Sequence, residues 1–235
     1  NPELLVLVAG GDGDGFSIGG GHVAHAVRRD LDLTYIVMDN QIYGLTKGQL
    51  SPTSPRGLKT VSSTFGSLEA PVNPLLYVLG YGASFVAQGT PADMQGLASV
   101  VEEAVRFPGF AFVNVQSPCV TYGQEEQQLK AHKGTMQTLA SLGHDPTDRL
   151  MAMALASEYG HKLYTEVFYR NPDSKLFSFR NVPFDHYQSD SNLVWHFGRP
   201  LLTGQNKAGK DISANLAPNP GFEDDRRPVI QRPDV

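Results

Sequence analysis

Seven glycines crowd into the twelve residues from Gly10 to Gly21, directly after an apolar run and directly before a helical pattern. The run LLVLVA (Leu4 to Ala9) reads as a parallel strand covered on both faces, because it is continuously apolar rather than alternating. HVAHAVRR then reads as a helix and TYIVMD (Thr34 to Asp39) as a second strand. Strand, glycine turn, helix and strand form a βαβ unit, which requires a parallel sheet and a right-handed crossover. The expected fold is therefore α/β, a doubly wound and mostly parallel sheet.

The rest of the chain continues that alternation. Residues 40–73 are rich in Ser, Thr, Pro and Gly without periodicity, far longer than the roughly 12 to 15 residues of a passive loop, so this segment reads as functional. A short helix follows near Pro74 to Leu79, then a strand near Ser84 to Ala87. A helix from Pro91 to Phe107 has Thr90 as its expected N-cap, Pro91 in its first turn and Asp93 at its positive end. FAFVNV (Phe110 to Val115) is a strand running straight into Ser117 to Cys119. One helix is expected over Glu125 to Leu142 and another opening at HDPTDR, with Asp145 as cap, Pro146 first and Asp148 in the first turn. Lys162 to Arg170 is a further strand. Beyond Asn171 the periodicity fades into a polar tail that still holds Phe177, Phe179, Trp195 and Phe197. We therefore expect an α/β domain over 1–170 and an irregular C-terminal extension over 171–235 that wraps a partner or a surface.

Composition excludes several classes. Nineteen Lys plus Arg against 24 Asp plus Glu leave a net charge of −5, which offers no global basic field for nucleic acid. No apolar run approaches the 18 or so residues of a membrane span, which predicts a soluble, cytoplasmic protein. The single cysteine, Cys119, rules out an intrachain disulfide and any cysteine-only cluster within these residues.

GGDGDGFSIGGG can aim backbone N–H groups at a phosphate, as a dinucleotide site would. The spacing does not fit G-x-G-x-x-G, since Ile18 follows Gly13 and Gly15, and Phe16 follows Gly11 and Gly13. Asp12 and Asp14 also set carboxylates where a diphosphate would lie, at a cost of about 4 kcal/mol per unit pair at 4 Å and an effective dielectric near 20. A divalent cation converts that repulsion into coordination, and Mg²⁺ is commonly shared by carboxylates and substrate phosphates. An oxygen ligand stands at the end of the neighbouring strand, Asp39-Asn40, with 26 residues between Gly13 and Asn40. A parallel crossover brings both strand ends to one edge of the sheet, where open α/β folds bind ligands.

GDG, a gap of this length and Asn after an apolar strand form the thiamine diphosphate and Mg²⁺ motif. The fuller string GDGDGFSIGG…VMDNQIYGLTKGQLSPTSP, with QSPC and HDPTDR, resembles the beta subunit of two-subunit 2-oxoacid:ferredoxin oxidoreductases as far as about Arg170. The resemblance implies the thiamine diphosphate-binding fold. It implies that Asp12, the Asn40 side chain and the backbone carbonyl of Ile42 hold Mg²⁺, with Gly11, Gly13, Asp14 and Thr46 around the diphosphate. It implies oxidative decarboxylation of a 2-oxoacid, electrons passing singly through a [4Fe–4S] cluster to ferredoxin and the acyl group to coenzyme A; in reverse this is a carboxylation. The matching cysteine of the family is the cluster's fourth ligand, so Cys119 takes that role. The other three are expected upstream of Asn1, where the abrupt opening predicts a missing segment. Partners implied are an alpha subunit, which supplies the glutamate against the aminopyrimidine ring and without which this chain is inactive, and a dimer of such heterodimers. Gly21 departs from the Asn that relatives of this type usually carry before His.

Leu45 and Lys47, in GLTKGQ, are the candidates for substrate selection. Relatives with this string take larger or dicarboxylic 2-oxoacids, and a mobile lysine cation can pair with a distal carboxylate, which favours 2-oxoglutarate. His22 and His25 share a helix face, but HxxH without an acidic third ligand is assigned no metal. The alternatives are pyruvate specificity, another thiamine enzyme, a Rossmann-type dinucleotide binder using Asp39 on a ribose, and a non-catalytic interaction subunit.

Overall fold

The computed structural model describes residues 5–44, 46–122 and 125–174, together with the backbone of two short strands further on. Leu45 and the tail aromatics Phe177, Phe179 and Phe197 lie outside the described residues. The chain divides into two units, Asn1–Phe177 and Ser178–Val235.

In the first unit, β1 (Leu7–Gly11) leads into a short helix α1 (Asp12–Phe16), then α2 (Gly20–Arg28) and β2 (Leu33–Asp39). After residues 40–73 come α3 (Pro74–Tyr81), β3 (Phe85–Gly89), α4 (Met94–Arg106) and β4 (Phe110–Gln116). The unit ends with α5 (Glu125–Thr135), β5 (Met136–Thr138), α6 (Arg149–Ala156) and β6 (Leu163–Arg170). The second unit contains β7 (Trp195–His196) paired antiparallel with β8 (Arg199–Pro200).

The six strands of the first unit run in the order β1-β2-β4-β3-β6-β5. All neighbours are parallel except β3 and β6, which pair antiparallel through a register shift at Val86/Ala87. Strand side chains alternate with a period of two, and here the two sets feed two cores. Tyr35, Val37, Val86, Phe110, Phe112, Tyr164 and Phe168 face one side, where α2, α3 and α6 contribute Val23, Val27, Leu75, Val78, Leu79, Ala152 and Ala156. Phe85, Ala87, Ala111, Val113 and Val115 face the other, against Val100 and Ala104 of α4. Helices on both faces of a mostly parallel sheet make the doubly wound α/β architecture.

Four expectations change. Among the described residues β1 pairs with β2 alone and shows no cover on both faces: Leu7 is 57% exposed, and Leu5, Val6 and Val8 are exposed with it. The helix after β3 begins at Met94 with Asp93 as its cap, the Asp93 carboxylate accepting from the Gly96 N–H, while Thr90 accepts from Ala92 in the turn before it. Asp148 caps α6 through the Met151 N–H, and Asp145 closes the preceding turn onto Thr147. The helix expected to reach Leu142 stops at Thr135, because Met136 to Thr138 pair with Leu163 to Thr165 of β6. Ladder pairing there outweighs the local helical preference.

Candidate active site

The face that is apolar along most of the sheet turns polar at the carboxyl ends of the parallel strands. Asp39 continues the inward set Tyr35 and Val37 on β2; Asn114 and Gln116 continue Phe110 and Phe112 on β4; Gln88 continues Val86 on β3. The parallel register aligns Asp39 with Gln116 and Gln88 with Asn114. Asp39 Oδ2 accepts from Asn114 Nδ2 at 3.2 Å, from Gln116 Nε2 at 2.6 Å and from the Tyr159 hydroxyl beyond α6. Asn114 Nδ2 also donates to Gln88 Oε1 at 2.9 Å, and Gln88 Nε2 to the Tyr164 carbonyl at 2.8 Å. A buried carboxylate surrounded by donors is the kind of network that fixes geometry, since every unpaired member would carry a desolvation cost.

Thr53, from the long loop, ties this network to the glycine turn. Its hydroxyl lies 2.5 Å from Asp12 Oδ2 and 3.1 Å from Asp39 Oδ1, and it has one proton to give. Given to Asp12 at the shorter distance, that proton leaves Thr53 Oγ1 able to accept from a protonated Asp39. Burial pushes the Asp39 carboxyl up to about 6, against the opposing hydrogen bond from Tyr159, and the Asp12 charge pushes the same way. Tyr159 is raised in turn by burial and by the Asp39 charge, so it stays a donor.

A carboxyl with a raised folded-state value binds its proton more tightly folded than unfolded, so its stabilising contribution is full below about pH 4 and declines as pH rises through about 6. At about 1.4 kcal/mol per unit, the decline amounts to about 3 kcal/mol. Urea denaturation of metal-free protein is expected to show this fall between about pH 4 and 7, and Asp39→Asn, which mimics the protonated side chain, is expected to remove it. An Asp39→Asn profile with the same slope as wild type would assign the pH dependence to other groups.

The glycine turn itself is tightly filled. Asp12 opens α1 and is 1% exposed, whereas Asp14 is exposed and its Oδ2 accepts from the Gly11 N–H at 3.3 Å. Tyr43 donates its hydroxyl to the Gly13 carbonyl at 3.1 Å, and its ring covers Gly13 so closely that a Cβ there would sit 2.4 Å from ring carbon Cε1. Only glycine fits between the two aspartates.

The second half of the motif forms a reversal at the end of β2. Asn40 Oδ1 accepts from the Ile42 N–H at 3.1 Å, Gln41 takes the left-handed conformation at φ 62°, and Ser54 Oγ donates to the Gln41 carbonyl at 2.6 Å. An Asn turned on its own backbone in this way steadies a left-handed neighbour. The chain then returns through an Ile42–Leu50 bridge and a 3.0 Å bond from the Tyr43 N–H to the Gln49 carbonyl. That clip leaves Thr46 and Lys47 exposed on the loop. The β1–β2 register pairs Gly11 with Met38, which puts Asp12 and the Asn40 reversal just past the carboxyl ends of adjacent strands.

Cys119 comes to the same edge. It is 8% exposed, its Sγ accepts from the Tyr122 N–H at 3.4 Å, and a Cβ on Gly44 would lie 3.9 Å from that sulfur. The Ser117 N–H donates to the Asp39 carbonyl at 3.0 Å, which fixes the exit of β4 beside that of β2. The structure thus gathers Gly11, Asp12, Gly13, Asn40, Ile42 and Cys119 at one edge. Sequence reading missed Tyr43, Thr53, Asn114, Gln116 and Tyr159. Thr53 had a signal in the SPTSP string; the others had none.

A carboxyl-edge site built on a strand, an acidic glycine turn and an Asn reversal defines a thiamine pyrophosphate enzyme domain, and residues 1–115 match the family "Thiamine pyrophosphate enzyme, C-terminal TPP binding domain". Residues 119–184 match the family of the C-terminal part of the pyruvate ferredoxin oxidoreductase beta subunit. The chain belongs to the beta subunits of the 2-oxoacid:ferredoxin oxidoreductases. It is 36% identical over 180 residues to the 2-oxoacid:ferredoxin oxidoreductase subunit beta of Saccharolobus solfataricus, covering 73% of this chain and 59% of that one. It is 43% identical over 121 residues to the 2-oxoglutarate synthase subunit KorB of Archaeoglobus fulgidus, covering 52% of this chain and 45% of that one. Among solved structures it is similar to the 2-oxoglutarate:ferredoxin oxidoreductase of Magnetococcus marinus with 2-oxoglutarate, coenzyme A and succinyl-CoA bound, at TM-score 0.69 and 42% identity over 75% of this chain and 60% of that one. The chain therefore spans about three fifths or less of these relatives' length. No helix among the described residues is long and apolar enough to cross a membrane.

Proposed function

We propose that this chain is the thiamine diphosphate-carrying beta subunit of an oxidoreductase that converts 2-oxoglutarate and coenzyme A to succinyl-CoA and CO₂, passing two electrons singly to ferredoxin. The observation that carries the reading is the meeting of buried Asp12 with the Asn40-Gln41-Ile42 reversal at one sheet edge. Its donor set is oxygen only, one carboxylate, one amide oxygen and one backbone carbonyl, and this suits Mg²⁺ bridging a diphosphate. Thr53 already donates to Asp12 Oδ2, so the carboxylate is oriented before any cation arrives.

In this reading Asp12, Asn40 and the Ile42 carbonyl hold Mg²⁺, while Gly11, Gly13, Asp14 and Thr46 surround the diphosphate. Bound thiamine supplies a carbon nucleophile for the 2-oxo carbon and a sink for the electrons released when the C1–C2 bond breaks. The new bond is the thioester and the thiol proton is released; a [4Fe–4S] cluster, when bound, would carry the two electrons onward one at a time. Cys119 supplies one thiolate to that cluster, the Tyr122 N–H toward its sulfur being the kind of contact that tunes cluster potential; the remaining ligands lie outside the described residues. Lys47 pairs with the distal carboxylate of the substrate. The site is completed by an alpha subunit, in a dimer of heterodimers.

The test is the assembled two-subunit enzyme. It is expected to reduce ferredoxin only with 2-oxoglutarate, coenzyme A, thiamine diphosphate and Mg²⁺ all present; NAD binding in place of thiamine diphosphate would overturn the reading. Cys119→Ser in the same complex is expected to lose the cluster's visible absorbance and electron transfer while keeping thiamine diphosphate binding, because one oxygen ligand among thiolates weakens the cluster and not the Mg²⁺ site.

A further inference from the structure

Between Asn40 and Leu68 every charged residue is a cation, Lys47, Arg56 and Lys59, in a chain whose net charge is −5. Two of the three border one cavity. A space of about 540 Å³ is walled by Ile42, Leu58 and Tyr122 and bordered by Lys47, Lys59 and Thr60. That volume suits a small metabolite. Among the described residues the ion pairs join Arg106 to Glu102, Lys130 to Glu126, Lys162 to Glu158 and Arg170 to Glu103, so neither Lys47 nor Lys59 is neutralised by a carboxylate there.

Two cations on one apolar-walled cavity repel each other until an anion lies between them. A monocarboxylic 2-oxoacid, whose carboxylate is beside the reacting carbon, leaves both lysines unmatched. A dicarboxylic one extends a second carboxylate away from that carbon. Ile42 belongs both to the cavity wall and to the reversal proposed to hold Mg²⁺, so a substrate reaching from the cofactor into the cavity presents its far end to the lysines. We propose that Lys59 acts with Lys47 to hold the distal carboxylate of a dicarboxylic 2-oxoacid, making Lys59 a specificity-determining residue. This rests on the reading that the site acts on 2-oxoacids.

The experiment compares kcat/KM for 2-oxoglutarate and 2-oxobutyrate in the two-subunit enzyme carrying wild-type chain, Lys59→Met, Lys59→Arg or Lys47→Met with Lys59→Met. Loss of one partly solvated ion pair is expected to lower the 2-oxoglutarate to 2-oxobutyrate ratio about fivefold in Lys59→Met, chiefly through KM. Lys59→Arg should restore most of it, and the double variant should fall further. An unchanged ratio in Lys59→Met, with wild type turning over 2-oxoglutarate, overturns the Lys59 assignment alone. So does a weakened thiamine diphosphate Kd with the ratio intact, which would place Lys59 at the cofactor. Absence of 2-oxoacid turnover in wild type overturns the underlying reading and the proposal together.

Discussion

Asp12→Ala is expected to abolish Mg²⁺-dependent thiamine diphosphate binding, and with it the activity of the assembled enzyme, while the chain remains folded. Removing a group that merely supports a metal ligand weakens metal affinity by up to roughly 100-fold, and removing the ligand itself should cost more. Without the cation, the diphosphate meets the remaining Asp14 carboxylate directly. Stability should move differently from binding. Asp12 is buried, its described side-chain bond is to Thr53, and its charge raises the Asp39 carboxyl beside it. Deleting that charge relieves like-charge repulsion and offsets the lost hydrogen bond, so metal-free Asp12→Ala should melt within a few degrees of wild type. Calorimetric titration with thiamine diphosphate and Mg²⁺, beside a thermal melt in chelator, reads both quantities. A variant that still binds the cofactor with wild-type affinity would remove Asp12 from the metal site.

The contrast between Asp12 and Asp39 shows which parts of this site the sequence could disclose. Asp12 and Asn40 were legible because each belongs to a strand end in a βαβ unit, whose crossover dictates that both arrive at one edge. Asp39 stood beside Asn40 in the same string and read as part of the oxygen ligand at the strand end, or as a ribose acid in the dinucleotide alternative. Its role as the hub of a buried network depends on Thr53, Asn114, Gln116 and Tyr159, up to 120 positions away, and no local pattern encodes such convergence. Tyr43 was hidden for a related reason: its ring and Gly13 come together across 30 positions.

Errors in the fold have equally specific causes. Thr90 and Asp93, like Asp145 and Asp148, are both acceptable caps, and the structure uses the later member each time because the earlier closes a turn of its own. β1 is as apolar as an inner strand, yet among the described residues it pairs with β2 alone, and an apolar run does not name the elements that flank it. Strand β5 lay inside a helix-like stretch, and only its partner β6, more than twenty positions later, reveals it.

Phe112→Ala should be the most damaging single core substitution, and it should reach the site as well. Phe112 is fully buried in the central strand β4, with its ring 6.1 Å from those of both Phe16 and Tyr35. Truncating a buried Phe to Ala typically costs about 3 to 5 kcal/mol, through lost transfer energy and the cavity left behind. A domain holds only about 5 to 15 kcal/mol in total, so this one change removes a third or more of an average reserve. Phe16 is the last residue of α1, the helix that Asp12 opens, and its ring also packs edge-on against Tyr77 of α3 at 5.4 Å. Loss of the Phe112 ring removes one of the two ring contacts of Phe16, so the glycine turn gains freedom at the end opposite Asp12. Phe112→Ala is therefore expected to weaken thiamine diphosphate binding by several-fold at temperatures where the variant is still folded, and Phe112→Leu, which keeps most of the volume, should show a smaller loss of both. Urea denaturation and cofactor titration on the two variants separate the effects. Stability lost in Phe112→Ala with cofactor affinity untouched would show that Phe112 is not needed to hold Phe16 in place, and that the core and the glycine turn are energetically independent.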